Sequence, residues 1–399
     1  MMTPRARLAH LAAYGTPPDR ETVSRITVGL DDTLSRIEKE VFPYLGAGGS
    51  ELQFVFGANG RGKTHYLLTI EERARQAGFV TARIDCSSVG SPFASMRQTY
   101  EMVATSLSAP SSTGEDGAIG LPAMIQAAVE GKSGTAMDRS LQALRTSRQL
   151  SPDFRNLVIG YAQGRHEERL TDRLADQLEA LLMGSATRQV TVSELYKADR
   201  KLPRPLGKLT NRSAPVWLRS LLSLPGALGF KGVVIMFDET ERVLYKLTPH
   251  QRRSQLANIR NLVDYCALSA LAGCMILYAA AEDFVDTARK DLDALAQRIE
   301  PPSLLKDQSP SSIRSVWTDL DDLTSPQTHD SKFFESLGSR VIGMGVEAGL
   351  APQRTGAIFT RISAEARRQS RSPTSSTVRD FVKLAAATVL TEVKANARR

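Results

Sequence analysis

The chain is 399 residues long, 42% hydrophobic and formally +8 at pH 7. That length leaves room for two or three domains with an ample core, and the composition is that of a soluble globular protein rather than a fibrous or disordered one. Three dispersed cysteines (Cys86, Cys266 and Cys274) and five dispersed histidines give no disulfide framework and no zinc spacing, so a reducing cytoplasm is expected.

The most apolar run, Leu268 to Ala281, is too short to span a bilayer, and the N-terminus has no signal-peptide core. No membrane partner is expected. Residues 331–399 hold 12 Lys/Arg against 5 Asp/Glu, nearly the whole positive excess. Such a segment suits nucleic acid or an acidic protein, and equally a solvated helical face.

Residues 1–50 read as a helical lead-in broken at Pro17-Pro18, with Leu34, Ile37, Val41 and Leu45 at helical spacing. Leu52, Phe54, Val55 and Phe56 then form a short buried strand. It runs into Gly57-Ala58-Asn59-Gly60-Arg61-Gly62-Lys63-Thr64, which fits G-x-x-x-x-G-K-[ST], the P-loop. Glycines let several backbone N–H groups turn inward toward phosphates. Lys63 is placed for the β- and γ-phosphates of ATP, and the Thr64 hydroxyl for Mg²⁺. His65 follows at the start of a helix carrying Leu67, Ile70 and Ala74, which ends near Gly78.

Phe79 to Asp85 reads as a second strand closed by Cys86-Ser87-Ser88, and Phe93 to Leu107 as a helix. Ser108 to Gly120 is a Ser/Gly/Pro-rich loop. From Leu121 to Arg212 no strand pattern emerges, and the segment reads as a helical insertion. Its tail holds Lys197, Arg200, Lys201, Arg204, Lys208 and Arg212, either a phosphate grip or, by preference, a solvated linker. Val216 to Leu224 is a helix that Pro225-Gly226 should end.

Gly232 to Phe237 is fully apolar and ends in Asp238-Glu239. This pattern predicts a central parallel strand whose acids lie at the ligand edge of the sheet. Asp238 would hold the Mg²⁺, and Glu239 would polarise the attacking water. Arg252 to Ala267 is an amphipathic helix, and Gly273 to Ala281 another buried strand. In additional-strand P-loop ATPases that strand lies between the P-loop strand and the acidic strand. Its tip here is Ala279-Ala280-Ala281, so a polar γ-phosphate sensor is absent or passes to Glu282. Leu292 to Arg298 continues a helix, Ile299 to Pro302 reads as an edge strand, and 306–330 as a polar loop. Arg298 stands where related ATPases carry an arginine finger, and a surface salt-bridging arginine is an equal reading of it. Phe333 to Val393 looks helical, and Arg379 is placed to fold over the nucleotide.

With these pieces in place, the chain resembles the P-loop ATP-binding proteins of bacterial BREX-type phage-defence systems, the BrxD-like group. The segments that carry the likeness are FVFGANGRGKTHYL, ARQAGFVTARIDCSS, PLGKLTNRSAPVWLRSLL, GFKGVVIMFDETERV and SSTVRDFVKLAAA. The resemblance implies an α/β, AAA+-like (additional-strand) core over residues 51–305, interrupted by a helical insertion at about 108–213. A lead-in over 1–50 and a basic helical lid over 331–399 flank it. It further implies an ATP-driven, Mg²⁺-dependent component of a defence system, with DNA, a helicase or further copies of the chain as partners. A nucleotide-gated scaffold with little hydrolysis and a DNA-binding loader of the origin-recognition kind are the alternatives.

Overall fold

A computed structural model describes residues 2–57, 60, 62–110, 119–185, 191–244, 246–281, 283–300, 317–320, 331–371 and 377–396. Ala58, Asn59, Arg61, Glu282, Pro301 and Pro302, named above, lie outside the described residues, as do 306–316 and 321–330 of the polar stretch.

The first helices, α1 (Pro4–Tyr14) and α2 (Arg20–Ile26), are separated at Pro17-Pro18, and the side chain of Asp19 caps the second. Next, α3 (Asp31–Arg36) passes through a π-helical turn, Ile37–Val41, into α4 (Phe42–Gly46). Strand β1 (Ser50–Phe56) leads to α5 (Lys63–Gln76), and β2 (Val80–Asp85) to the short α6 (Cys86–Val89), so Cys86-Ser87-Ser88 opens a helical turn rather than closing the strand. Then come α7 (Met96–Ser106) and the two-residue β3 (Leu107–Ser108).

The region read as a helical insertion contains α8 (Leu121–Val129), α9 (Gly134–Thr146), α10 (Pro152–His166), α11 (Asp172–Met183) and α12 (Val192–Ala198). After α13 (Ala214–Leu228) follow β4 (Val233–Asp238), α14 (Glu241–Leu244), α15 (Pro249–Ala267), β5 (Cys274–Ala279) and α16 (Phe284–Ile299). The chain closes with β6 (Trp317–Asp319), α17 (Ser331–Glu347), α18 (Thr355–Arg371) and α19 (Thr377–Asn396).

The fold is mixed α/β. One six-stranded sheet runs in the order β3-β2-β4-β5-β1-β6, with β3 alone antiparallel. Strand β4 as far as Phe237 and all of β5 are apolar, as strands covered on both faces require, and every residue in the two strands is buried, Asp238 included. On one face Val55, Val234, Met236 and Leu277 pack against Leu34 and Ile37 of the lead-in and Leu67 and Ile70 of α5. On the other, Phe54, Ile235, Phe237 and Tyr278 meet α13, α15, α16 and, further out, the insertion helices. A separate core joins Leu8, Leu11 and Ile26 to Phe334, Val341, Ile362, Phe381 and Val389. The lead-in is therefore divided: α1 and α2 join the C-terminal helices, while α3 and α4 cover the sheet.

Three local expectations change. Pro225 lies inside α13 rather than ending it, and Gly229 in the left-handed conformation stops the helix. Burial of Leu224, Pro225 and Leu228 offsets the hydrogen bond that proline cannot donate. Ile299 is the last residue of α16, not part of an edge strand, because its side chain packs in the main core. The edge strand is Trp317–Asp319, inside the stretch read as loop; it pairs with Phe54–Phe56, and Trp317 stacks on Phe56 at 3.9 Å.

Candidate functional site

The carboxyl ends of β1, β4 and β5 face one edge of the sheet, where ligands bind in open α/β folds. Because β5 is inserted between β1 and β4, the loop after β1 and the acids after β4 are two strand spacings apart, about 10 Å. Gly60 and Gly62 take φ of +88° and +96°, conformations that favour glycine, and Gly62 caps α5. The N-terminal end of this 14-residue helix thus points into the loop with its free amides and positive dipole.

Lys63 is buried. Its Nζ donates to the Gly57 carbonyl at 2.7 Å and lies 3.4 Å from Glu241 Oε1. Across the gap, Asp238 is buried and accepts from the Thr64 hydroxyl and, at 2.9 Å, from the Glu239 amide. Burial pushes its carboxyl above the usual range; the Thr64 and Glu239 hydrogen bonds and the Arg83 charge oppose that rise. Glu239 adopts φ +56°, a left-handed conformation that costs a non-glycine residue about 1 kcal/mol, and its half-buried side chain lines the cavity.

The turn after Asp238 is tied down. The Thr240 hydroxyl donates to the Ala279 carbonyl, and the Tyr278 hydroxyl interacts with Thr240. Gln255 Nε2 donates to Tyr278 at 3.0 Å, and the Ser91 hydroxyl donates to Gln255 Oε1 at 2.9 Å. These buried polar groups fix the acidic tip against β5 and α15.

A cavity of about 750 Å³ opens over these groups. Gly60, Gly62, Lys63, Thr64, Asp238 and Glu239 form its polar end. Its apolar wall comes from Pro17, Val28 and Leu30 of the lead-in and from Phe333, Leu337 and Val378 of the C-terminal helices. Arg379 lines it from the first turn of α19. His65 also lines it, but its Nε2 is 2.9 Å from the Thr27 hydroxyl, so the ring fastens α5 to the lead-in. Burial pushes the imidazole down to about 4 and keeps it neutral near pH 7. Arg298 is elsewhere: it donates to Asp264 at 2.6 Å on the surface and is not part of the cavity wall.

Several wall residues escaped the sequence reading. Glu241 follows the acid pair by two positions and reaches Lys63; a third acid in the run Asp238-Glu239-Thr240-Glu241 was the available signal. Arg20 and Arg83 line the cavity and converge on buried Glu71, at 2.7 and 3.5 Å. No local motif announces that cluster, since it joins α2, α5 and β2.

The family model of the BREX system ATP-binding proteins BrxC/D matches residues 9–341. The chain belongs to this family. The match runs from α1 into α17 and includes the loop, the acidic strand and the helical insertion. As a family member the chain is an ATP-binding protein of a BREX defence system. No curated protein and no solved structure matches it. Among the described residues no helix is long and apolar enough to cross a membrane.

Proposed function

We propose that the chain is a Mg²⁺-dependent ATPase with an AAA+-like core, which turns nucleotide binding and hydrolysis into movement of its C-terminal lid within the defence system, with DNA or a helicase as partner. The observation that carries this reading is the Thr64–Asp238 hydrogen bond facing buried Lys63 across the mouth of the cavity. Among the described residues no three carboxylate, His or Cys ligands cluster to chelate a metal unaided. That fits Mg²⁺, which takes one or two protein oxygens and completes its shell with phosphates and water. Thr64 and Asp238 supply hard oxygen donors of this kind, and Glu241 Oε2 is a further buried carboxylate oxygen without a hydrogen-bond partner among the described residues. When bound, the ion neutralises charge on the β- and γ-phosphates.

The loop amides and the start of α5 hold the phosphates, and Lys63 turns its ammonium from Gly57 and Glu241 to a γ-oxygen. The base packs against the apolar wall of Val28, Phe333 and Val378, and Arg379 closes over the phosphates. Glu239 orients a water for in-line attack: its oxygen bonds to the γ-phosphorus as the bond to ADP breaks, and Glu239 takes up its proton. Catalysis is positioning and charge stabilisation. In a homo-oligomer, surface Arg298 would serve the neighbour's nucleotide.

A second reading, a nucleotide-gated scaffold, draws support from the apolar tip Ala279-Ala280, which offers no sensor side chain. Steady-state turnover, with and without DNA, separates the two. Glu239→Gln should bind ATP normally and lose turnover at least ~100-fold; Lys63→Ala should lose nucleotide affinity by calorimetry. Full turnover in Glu239→Gln removes that residue from the role, and a wild type that binds ATP without turning it over establishes the scaffold.

A further inference from the structure

The tail of the insertion, expected to be a solvated linker, is a docked arch. Leu195, Leu202, Leu206 and Leu209 are buried in the main core. The Tyr196 hydroxyl accepts from the Leu206 amide at 2.7 Å and donates to the Pro203 carbonyl, and Asn156 Nδ2 donates to the Pro205 carbonyl at 2.9 Å. On the outer side, Ser193, Tyr196, Lys197, Arg200 and Arg204 line one open cleft. Lys197 lies in the last turn of α12 and Arg200 just past its extended C-cap Asp199, and the Arg204 guanidinium stacks over the Tyr196 ring at 4.3 Å.

Residues 197–212 carry six cations and a single acid, Asp199. Asp199 is half-buried and pairs with Arg169, so it turns away from the cleft's charge balance. All six cations are exposed. Like charges held this close repel one another, and a cleft lined by one sign focuses the field on an anion.

We infer that this cleft binds the phosphodiester backbone of nucleic acid. Arg204 covers the face of the one aromatic ring in the cleft, which leaves no platform for base stacking. Binding is therefore indifferent to sequence and set by phosphate contacts. The inference rests on nucleic acid being a partner of the chain, not on the nucleotide pocket, which lies at the sheet edge.

The test is a fluorescence-anisotropy titration of the full chain with labelled duplex DNA, single-stranded DNA and RNA, at salt from about 50 to 200 mM. Wild type should bind at least one of these probes at the lowest salt. The double variant Arg200→Glu/Arg204→Glu should weaken binding at least tenfold and flatten the log–log salt slope by about 2, one unit per lost contact. The milder Lys197→Gln/Arg200→Gln, which leaves the Tyr196 stack in place, should act in the same direction. Lys197→Gln/Arg200→Gln should melt at the wild-type temperature, and both variants should keep wild-type ATP affinity, which separates failure of this inference from failure of the nucleotide site. The control Arg361→Glu/Arg368→Glu, on the basic α18, should bind within twofold of wild type. Unchanged binding in the cleft variants, loss confined to the α18 control, no wild-type binding at the lowest salt, or equal competition by polyglutamate overturns the inference; the last outcome assigns the cleft to an acidic protein.

Discussion

Glu71 is the point at which the walls of the cavity can be tested without touching the loop after β1. Its side chain is 4% exposed and lies 2.7 Å from Arg20, which is 26% exposed. Arg83, 40% exposed, lies 3.5 Å from the other oxygen. Removing one member of a fully buried ion pair costs about 3–5 kcal/mol, because the remaining charge is stranded. Here both arginines reach water and can rehydrate, which lowers the expected loss for Glu71→Ala to about 2 kcal/mol. Urea denaturation of wild type, Glu71→Ala, Arg20→Met and the double variant closes a thermodynamic cycle. The expected coupling is about 1 kcal/mol. ATP affinity should fall several-fold in Glu71→Ala although Lys63, Thr64 and Asp238 are intact, since Arg20 and Arg83 both line the cavity. Additivity within about 0.3 kcal/mol would refute the claim that Glu71 ties α2 to α5.

His65 gives a pH prediction. Its imidazole falls from 6.5 unfolded to about 4 folded, so the unfolded chain binds the extra proton between those values. The stability it contributes is complete above pH 6.5 and is lost as pH falls toward 4, an effect of up to ~3 kcal/mol. His65→Gln, which keeps a hydrogen-bonding group for Thr27, should flatten the melting-temperature profile in that window; an unchanged slope would assign the acid sensitivity to other groups. Leu11→Ala probes the docking of the N-terminus. Leu11 is fully buried against the C-terminal helices, so truncation should cost about 3 kcal/mol and, by loosening the roof, weaken ATP binding. A wild-type melting curve in that variant would mean that α1 is not held there.

The polar end of the site was legible because its chemistry is local. Gly60 and Gly62 satisfy a left-handed backbone, Lys63 and Thr64 follow within two residues, and Asp238 and Glu239 end a strand whose unbroken apolar run declares burial on both faces. The end of α13 falls later than its sequence suggests for a related reason: Pro225 is a helix breaker by propensity, and only the packing of its neighbours decides otherwise. Strand β6 was missed because three residues carry too little periodicity to separate a strand from a loop.

The sequence by itself determined the glycine-rich loop that opens α5, the acidic end of β4, the alternation of buried strands and helices, and the helices described between Leu121 and Ala198, since each is encoded by neighbours within one or two turns of chain. Tertiary structure alone decided the rest. It brought Leu11 against Phe381 and so made residues from both ends of the chain walls of one cavity. It turned Glu241 toward Lys63, gathered Arg20 and Arg83 on Glu71, and folded Arg204 onto Tyr196. Contacts such as the first and second span long stretches of sequence. They leave no local periodicity because burial of apolar surface is non-directional, and which distant faces meet is settled only when the whole core closes.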